Sequence, residues 1–252
     1  MQVNILGINI NYTHVGHGKN LLLLHGWGLN LNYFNNLIND LKDNYSIYAI
    51  DLPGFGKSEL RESFNTTDYS EIVLEFIKHF KIDSPTLLGH SFGGKVIIDL
   101  VTNRKYNPNK IILIDSAGIN KKKSIYKKYK VYKFKLLKNL IKKFYNEKRA
   151  NYLLDDLRKK YGSRDYNNSN VVLRNTLVKV VNDNYIDKLS LIKCPTILLW
   201  GEYDTETPIS DGMIMNKYIK DSALITIKNA NHFPLSTNYM ECLLIIDSFL
   251  RS

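Results

Sequence analysis

Pro85-Thr86-Leu87-Leu88-Gly89-His90-Ser91-Phe92-Gly93-Gly94 is a short apolar run that breaks into a serine with glycines two positions away on either side, ahead of a helix-like segment reaching Asn103. Gly-x-Ser-x-Gly between a strand and a helix has the form of a nucleophile elbow. The demand is steric. The turn is tight enough to strain the backbone of the serine, and strand and helix pass so close that side chains at the flanking positions would collide. Ser91 is therefore a candidate nucleophile, and the run before it a candidate buried strand.

Outward from the elbow, strand and helix signals alternate. Residues 3–6 and 8–15 read as two strands around Gly7, and residues 21–24 and 45–50 as two more. Residues 34–41 and 69–80 carry apolar side chains at helical spacing, and residues 110–115 form another apolar strand. Strands apolar on both faces belong to a parallel sheet covered by helices. The rhythm stops after Gly118 and resumes with strands at 195–200 and 223–227 and a last helix at 237–250. The expected architecture is α/β: a mostly parallel eight-stranded sheet with helices on both faces. Residues 1–118 and 191–252 make the core, and a helical, basic insertion at 119–190 folds as a lid.

At 252 residues the chain suits one large domain, with no internal repeat and no linker-like tract. Its opening, Met1-Gln2-Val3-Asn4-Ile5, lacks the basic and apolar regions of a signal peptide, and no apolar run approaches membrane-spanning length. Cys194 and Cys242 have no metal-ligand spacing. A cytoplasmic location is the expectation. The net charge of +11 is local: residues 119–165 hold 17 Lys and Arg against 4 Asp and Glu, so the remainder is slightly acidic. With 28 Lys against 7 Arg and no binding module, nucleic acid is not expected as a partner. Within residues 124–145, Val131, Phe134, Leu137, Ile141 and Phe144 recur at three- and four-residue steps, while Lys127, Lys128, Lys130, Lys135, Lys138 and Lys142 mostly take the other faces. Such a helix either rests its apolar stripe on the domain below, with a solvated lysine face, or docks on an acidic partner or anionic membrane surface.

A serine hydroxyl needs a general base, usually a histidine held by a carboxylate. Asp204 lies in Trp200-Gly201-Glu202-Tyr203-Asp204-Thr205-Glu206-Thr207-Pro208, directly after a strand, and His232 lies in Asn229-Ala230-Asn231-His232-Phe233-Pro234, after the last strand. His232 is the only histidine beyond position 90. His14, His17 and His79 fall in a hairpin, a turn and a helix end, and His90 precedes the serine. Asp115 is the rival acid, since it too ends a sheet strand. Glu202 and Glu206 read as solvated loop carboxylates.

Taken together, Leu24-His25-Gly26-Trp27-Gly28, Asp51-Leu52-Pro53-Gly54-Phe55-Gly56-Lys57-Ser58, the elbow, Trp200 to Asp204 and Asn231-His232-Phe233-Pro234 resemble the α/β-hydrolases that carry a lid, over nearly the whole chain. The segments at 25–30 and 51–56 are similar to pimeloyl-carrier-protein methyl esterases. This resemblance implies the order serine, acid, histidine, filled by Ser91, Asp204 and His232, and an oxyanion hole made by the backbone N–H groups of Trp27 and Phe92. It implies ester hydrolysis without a cofactor or metal, on a small-molecule ester, with an acidic carrier as a possible partner of the lid lysines. Hydrolysis of a carbon–carbon bond, acyl transfer, and ligand sensing without catalysis are the alternatives that the same residues leave open. Where the family usually has glycine before the histidine this chain has Asn231, expected at positive φ, where asparagine is the best substitute.

Overall fold

A computed structural model describes residues 1–120, 125–161 and 163–252. Ser124, and the side chains of Lys127, Lys128, Lys130 and Val131 invoked above, lie outside the described residues. The strands are β1 (Gln2–Ile5), β2 (Ile8–Val15), β3 (Lys19–Leu24), β4 (Tyr45–Ile50), β5 (Thr86–His90), β6 (Lys110–Ile114), β7 (Thr196–Gly201) and β8 (Ser222–Ile227). Between and after them run α1 (Asn35–Leu41), α2 (Thr66–His79), α3 (Phe92–Thr102), α4 (Ile125–Phe144), α5 (Glu147–Tyr161), α6 (Arg164–Asn168), α7 (Val171–Val180), α8 (Ile209–Tyr218), α9 (Pro234–Thr237) and α10 (Tyr239–Arg251). The chain divides into two units: residues 1–120 with 179–252, and residues 121–178.

The larger unit holds one eight-stranded sheet in the order β1-β2-β4-β3-β5-β6-β7-β8. β1 and β2 pair antiparallel at one edge, and from β4 onward every pairing is parallel. Leu21 to Leu24 and Ile111 to Ile114 are all 0% exposed, which is why these strands are continuously apolar rather than alternating. Each such side chain contributes about 1.5–3 kcal/mol on leaving water. Helix α2 begins at an Asn65 cap whose side chain accepts from Asp68 N–H while the Asp68 carboxylate accepts from Asn65 N–H.

The register sets the site. Leu24 pairs with Gly89, His90 with Ile114, Ile114 with Leu199, and Gly201 with Ile227, so the carboxyl ends of β3, β5, β6, β7 and β8 stop at one rim. The loops that leave this rim carry every candidate residue, as open α/β sheets favour.

Residues 179–190, expected in the insertion, group with the larger unit instead. Lys179 Nζ donates to Ser63 O (2.6 Å), Tyr185 N–H to Gly118 O (2.9 Å) and the Tyr185 hydroxyl to Asp99 (2.7 Å). In the smaller unit, α4 and α5 pack together and the Phe134 ring lies 6.2 Å from Tyr161 and 6.4 Å from Tyr166. Phe134, Leu137 and Ile141 are half-buried, whereas Phe144 is exposed and, with Tyr129, Tyr132, Leu136 and Leu140, continues a second, solvent-facing apolar row along α4. Among the described residues no helix is long and apolar enough to cross a membrane.

Candidate active site

Ser91 caps α3 at φ 49°, ψ −110°, a left-handed conformation that costs a non-glycine residue about 1–3 kcal/mol. Its backbone is over-determined. Ser91 N–H donates to Ile114 O (2.9 Å), and Ser91 O accepts from Lys95 N–H (3.2 Å) and Ala117 N–H (3.0 Å). The flanking glycines are fixed by contact. A Cβ on Gly89 would lie 2.6 Å from Gly94 N, and one on Gly93 would lie 2.0 Å from Leu24 O.

His232 Nε2 lies 2.9 Å from Ser91 Oγ, and His232 Nδ1 lies 2.7 Å from Asp204 Oδ2. Because a carboxylate only accepts, Nδ1 carries the proton and Nε2 is free to accept from the serine hydroxyl. The Asp204 carboxylate also accepts from Glu206 N–H (2.8 Å), Thr207 N–H (3.0 Å) and the Thr207 hydroxyl (2.7 Å). Burial alone would raise its pKa, but the hydrogen bonds from His232 and Thr207 outweigh that and hold it below the ordinary aspartate value.

Asp115, the rival acid, stands beside this pair rather than replacing it. It has φ 43°, is fully buried, and its Oδ1 accepts from Gly201 N–H (2.8 Å). One ligand-type atom from each of Asp115, Asp204 and His232 lies within 4.8 Å of the other two, the one such grouping among the described residues. Its histidine nitrogen is already engaged with Asp204. Burial, reinforced by the Asp204 charge, pushes the Asp115 carboxyl up to about 9, so it is neutral at pH 7. The folded state therefore holds a proton that the unfolded state releases above pH 4, and this stabilisation is lost as pH rises toward 9. Asp115→Asn, which keeps a neutral group there, is expected to gain about 1 kcal/mol or more at pH 8 and to match the wild type near pH 3. Chemical denaturation at both pH values measures this.

His25, His14 and His90 have other partners. His25 Nδ1–H donates to Gly26 O (2.7 Å) and its Nε2 accepts from Leu52 N–H (2.9 Å); burial lowers its pKa to about 4. His14 stacks on Tyr48 (ring centroids 3.9 Å apart). His90, given no role by the sequence, donates from Nε2 to His232 O (2.8 Å), and burial with the nearby His232 lowers its pKa to about 3. It holds the backbone that carries His232. Asn231 is not at positive φ; Asn229 is, at 57°. Asn231 instead uses its side chain, Oδ1 accepting from Phe233 N–H (3.0 Å), to fix the turn. The two loop glutamates are not simply solvated either: Glu202 accepts from Asn229 N–H (3.0 Å), and Glu206 Oε2 lies 3.5 Å from His232 Nε2.

Trp27 follows β3, and Phe92 is the first residue of α3, where helix geometry leaves the N–H without an intrahelical acceptor. The Trp27 ring packs edge-on against Phe55 (4.9 Å) and Phe92 (5.4 Å), and Phe92 against Tyr69 (5.0 Å). Chemically, the arrangement pairs a strained hydroxyl with an adjacent base, a buried carboxylate behind it and N–H groups at loop and helix starts.

Residues 19–125 match the family described as the alpha/beta hydrolase fold. The pimeloyl-[acyl-carrier protein] methyl ester esterase of Wigglesworthia glossinidia brevipalpis is 28% identical over 255 residues, covering 92% of this chain and 94% of its own. The uncharacterized hydrolase YugF of Bacillus subtilis strain 168 is 24% identical, with 90% and 88% covered. Among solved structures, an esterase from Exiguobacterium antarcticum superimposes with a TM-score of 0.78 at 20% identity, covering 100% of this chain and 99% of that one, which speaks for the fold.

Proposed function

We propose that the protein is a serine hydrolase of the α/β-hydrolase superfamily that cleaves carboxylic esters through an acyl-enzyme intermediate. The observation that carries this reading is the unbroken line from Ser91 Oγ through His232 to Asp204, at 2.9 and 2.7 Å. In the proposed sequence, His232 Nε2 takes the Ser91 proton as Oγ attacks the ester carbonyl, and Asp204 holds the resulting imidazolium. The N–H groups of Trp27 and Phe92 receive the oxyanion. His232 then protonates the departing alcohol, and a water activated by the same nitrogen releases the acid and restores the serine. The inserted segment acts in this reading as a lid, with its lysines available to an acidic carrier or anionic surface.

The similarity to methyl ester esterases supports the ester as substrate class. A fluorophosphonate probe is expected to label Ser91 and no other serine, with hydrolysis of p-nitrophenyl esters lost in proportion. Mass spectrometry of the labelled peptide reads this. Absence of labelling on folded protein, or equal labelling of Ser91→Ala, would remove the proposal.

A further inference from the structure

The carboxylate of Glu206 is the feature of this rim that the triad does not use. Its Oε2 approaches His232 Nε2 to 3.5 Å, the same nitrogen that faces Ser91 Oγ, and its side chain is 62% exposed at the mouth of the site. The position is built in, because Glu206 N–H donates to Asp204 Oδ1 (2.8 Å) and the next residue ties the same oxygen (3.0 Å). The turn that fixes the acid therefore fixes the backbone from which the glutamate side chain projects. Glu206 adds nothing that Asp204 does not already supply to Nδ1. Its charge instead faces the space where a substrate must sit.

We propose that Glu206 is a specificity-determining residue: it disfavours esters bearing a negative charge close to the scissile carbonyl and favours neutral and cationic ones. The inference rests on Ser91 and His232 acting as nucleophile and base. A reacting carbonyl has to come within about 3–3.5 Å of Ser91 Oγ. A charge carried on the leaving group about four bonds beyond the carbonyl carbon then lies on the order of 10 Å from the carboxylate, where unit charges still interact through the partly dry mouth of a cleft. Because Glu206 is largely solvated, the effect depends on salt. The Debye length falls from about 30 Å at 0.01 M to about 3 Å at 1 M ionic strength.

Three thioacetates that differ only in the charge of the leaving thiol test this: acetylthiocholine, the neutral S-acetyl-2-mercaptoethanol, and S-acetyl-2-mercaptoethanesulfonate. The ratio of kcat/KM for the cationic over the anionic ester is expected to drop about tenfold in Glu206→Gln at low ionic strength. It should drop further in Glu206→Lys, and the variants should approach the wild type at about 1 M salt. Ratios that agree within about twofold among the three proteins at low salt overturn the role of Glu206. If none of the thioacetates is turned over but a neutral fluorophosphonate labels Ser91, the same ratio is read from the labelling rates of cationic and anionic phosphonates. If Ser91 is not labelled at all, the serine-hydrolase reading itself fails and this inference falls with it.

Discussion

Ser91→Ala, His232→Ala and the double variant are expected to fall to one common floor, roughly 10⁴-fold or more below the wild type in kcat. In the proposed mechanism, removing either group breaks the same proton path, which runs through the 2.9 Å contact between Ser91 Oγ and His232 Nε2. Losses that act through one step do not add. Two independent contributions would instead multiply, and the double variant would sit far below either single one. Asp204→Asn is expected to cost nearly as much, because an amide can donate to Nδ1 and so favours the tautomer whose Nε2 carries the proton and cannot accept from the serine. Steady-state hydrolysis of an activated ester by the four variants, with circular dichroism as a check on folding, separates these outcomes.

The second large effect concerns the fold. Gly93→Ala is expected to cost more than about 3 kcal/mol and to lower the melting temperature by roughly 10 °C. The added Cβ would meet Leu24 O at 2.0 Å and Leu24 C at 2.5 Å, both backbone atoms. No rotamer relieves such a clash. Leu24 is paired with Ile50 on one side and Gly89 on the other, so a shift would disturb three strands and the loop that carries Trp27. Ile97→Val, in the same helix and fully buried, removes a single methylene and should cost about 1 kcal/mol. Urea unfolding of the two variants side by side measures the difference, and similar midpoints would mean that a methyl group fits between β3 and α3.

Strands were legible because this sheet buries both of its faces, so Leu21-Leu22-Leu23-Leu24 and Ile111-Ile112-Leu113-Ile114 announce themselves without any alternation. Helix α8 was not read. Its buried side is made of Asp211, Gly212 and Met215, and Gly212 is needed because a Cβ there would lie 2.8 Å from the Trp200 ring. Apolar periodicity carries no trace of such a face. The return from the insertion comes earlier than residue 191, the bound that the sequence suggests because its next strand pattern starts only at Pro195. What ties residues 179–190 to the larger unit is hydrogen bonding to Ser63, Gly118, Thr66 and Asp99.

Candidate residues followed the same divide. Ser91, Asp204 and His232 each stand just beyond a strand end, and strand ends can be found in one dimension. The reach of Glu206 toward His232, and the support of His90 beneath the His232 backbone, depend on how two loops fold against each other. Asn231 marks this loop in the sequence, yet its amide closes a turn, while the left-handed residue is Asn229.

The contact between serine and imidazole spans 141 positions of the chain. On the ribosome the elbow emerges long before its partner, and during that interval a nascent chain holds a hydroxyl with nothing to activate it. On the proposed mechanism, reactivity in this topology arrives only when β8 and the loop after it have docked, so translation order itself would keep unfinished copies chemically silent.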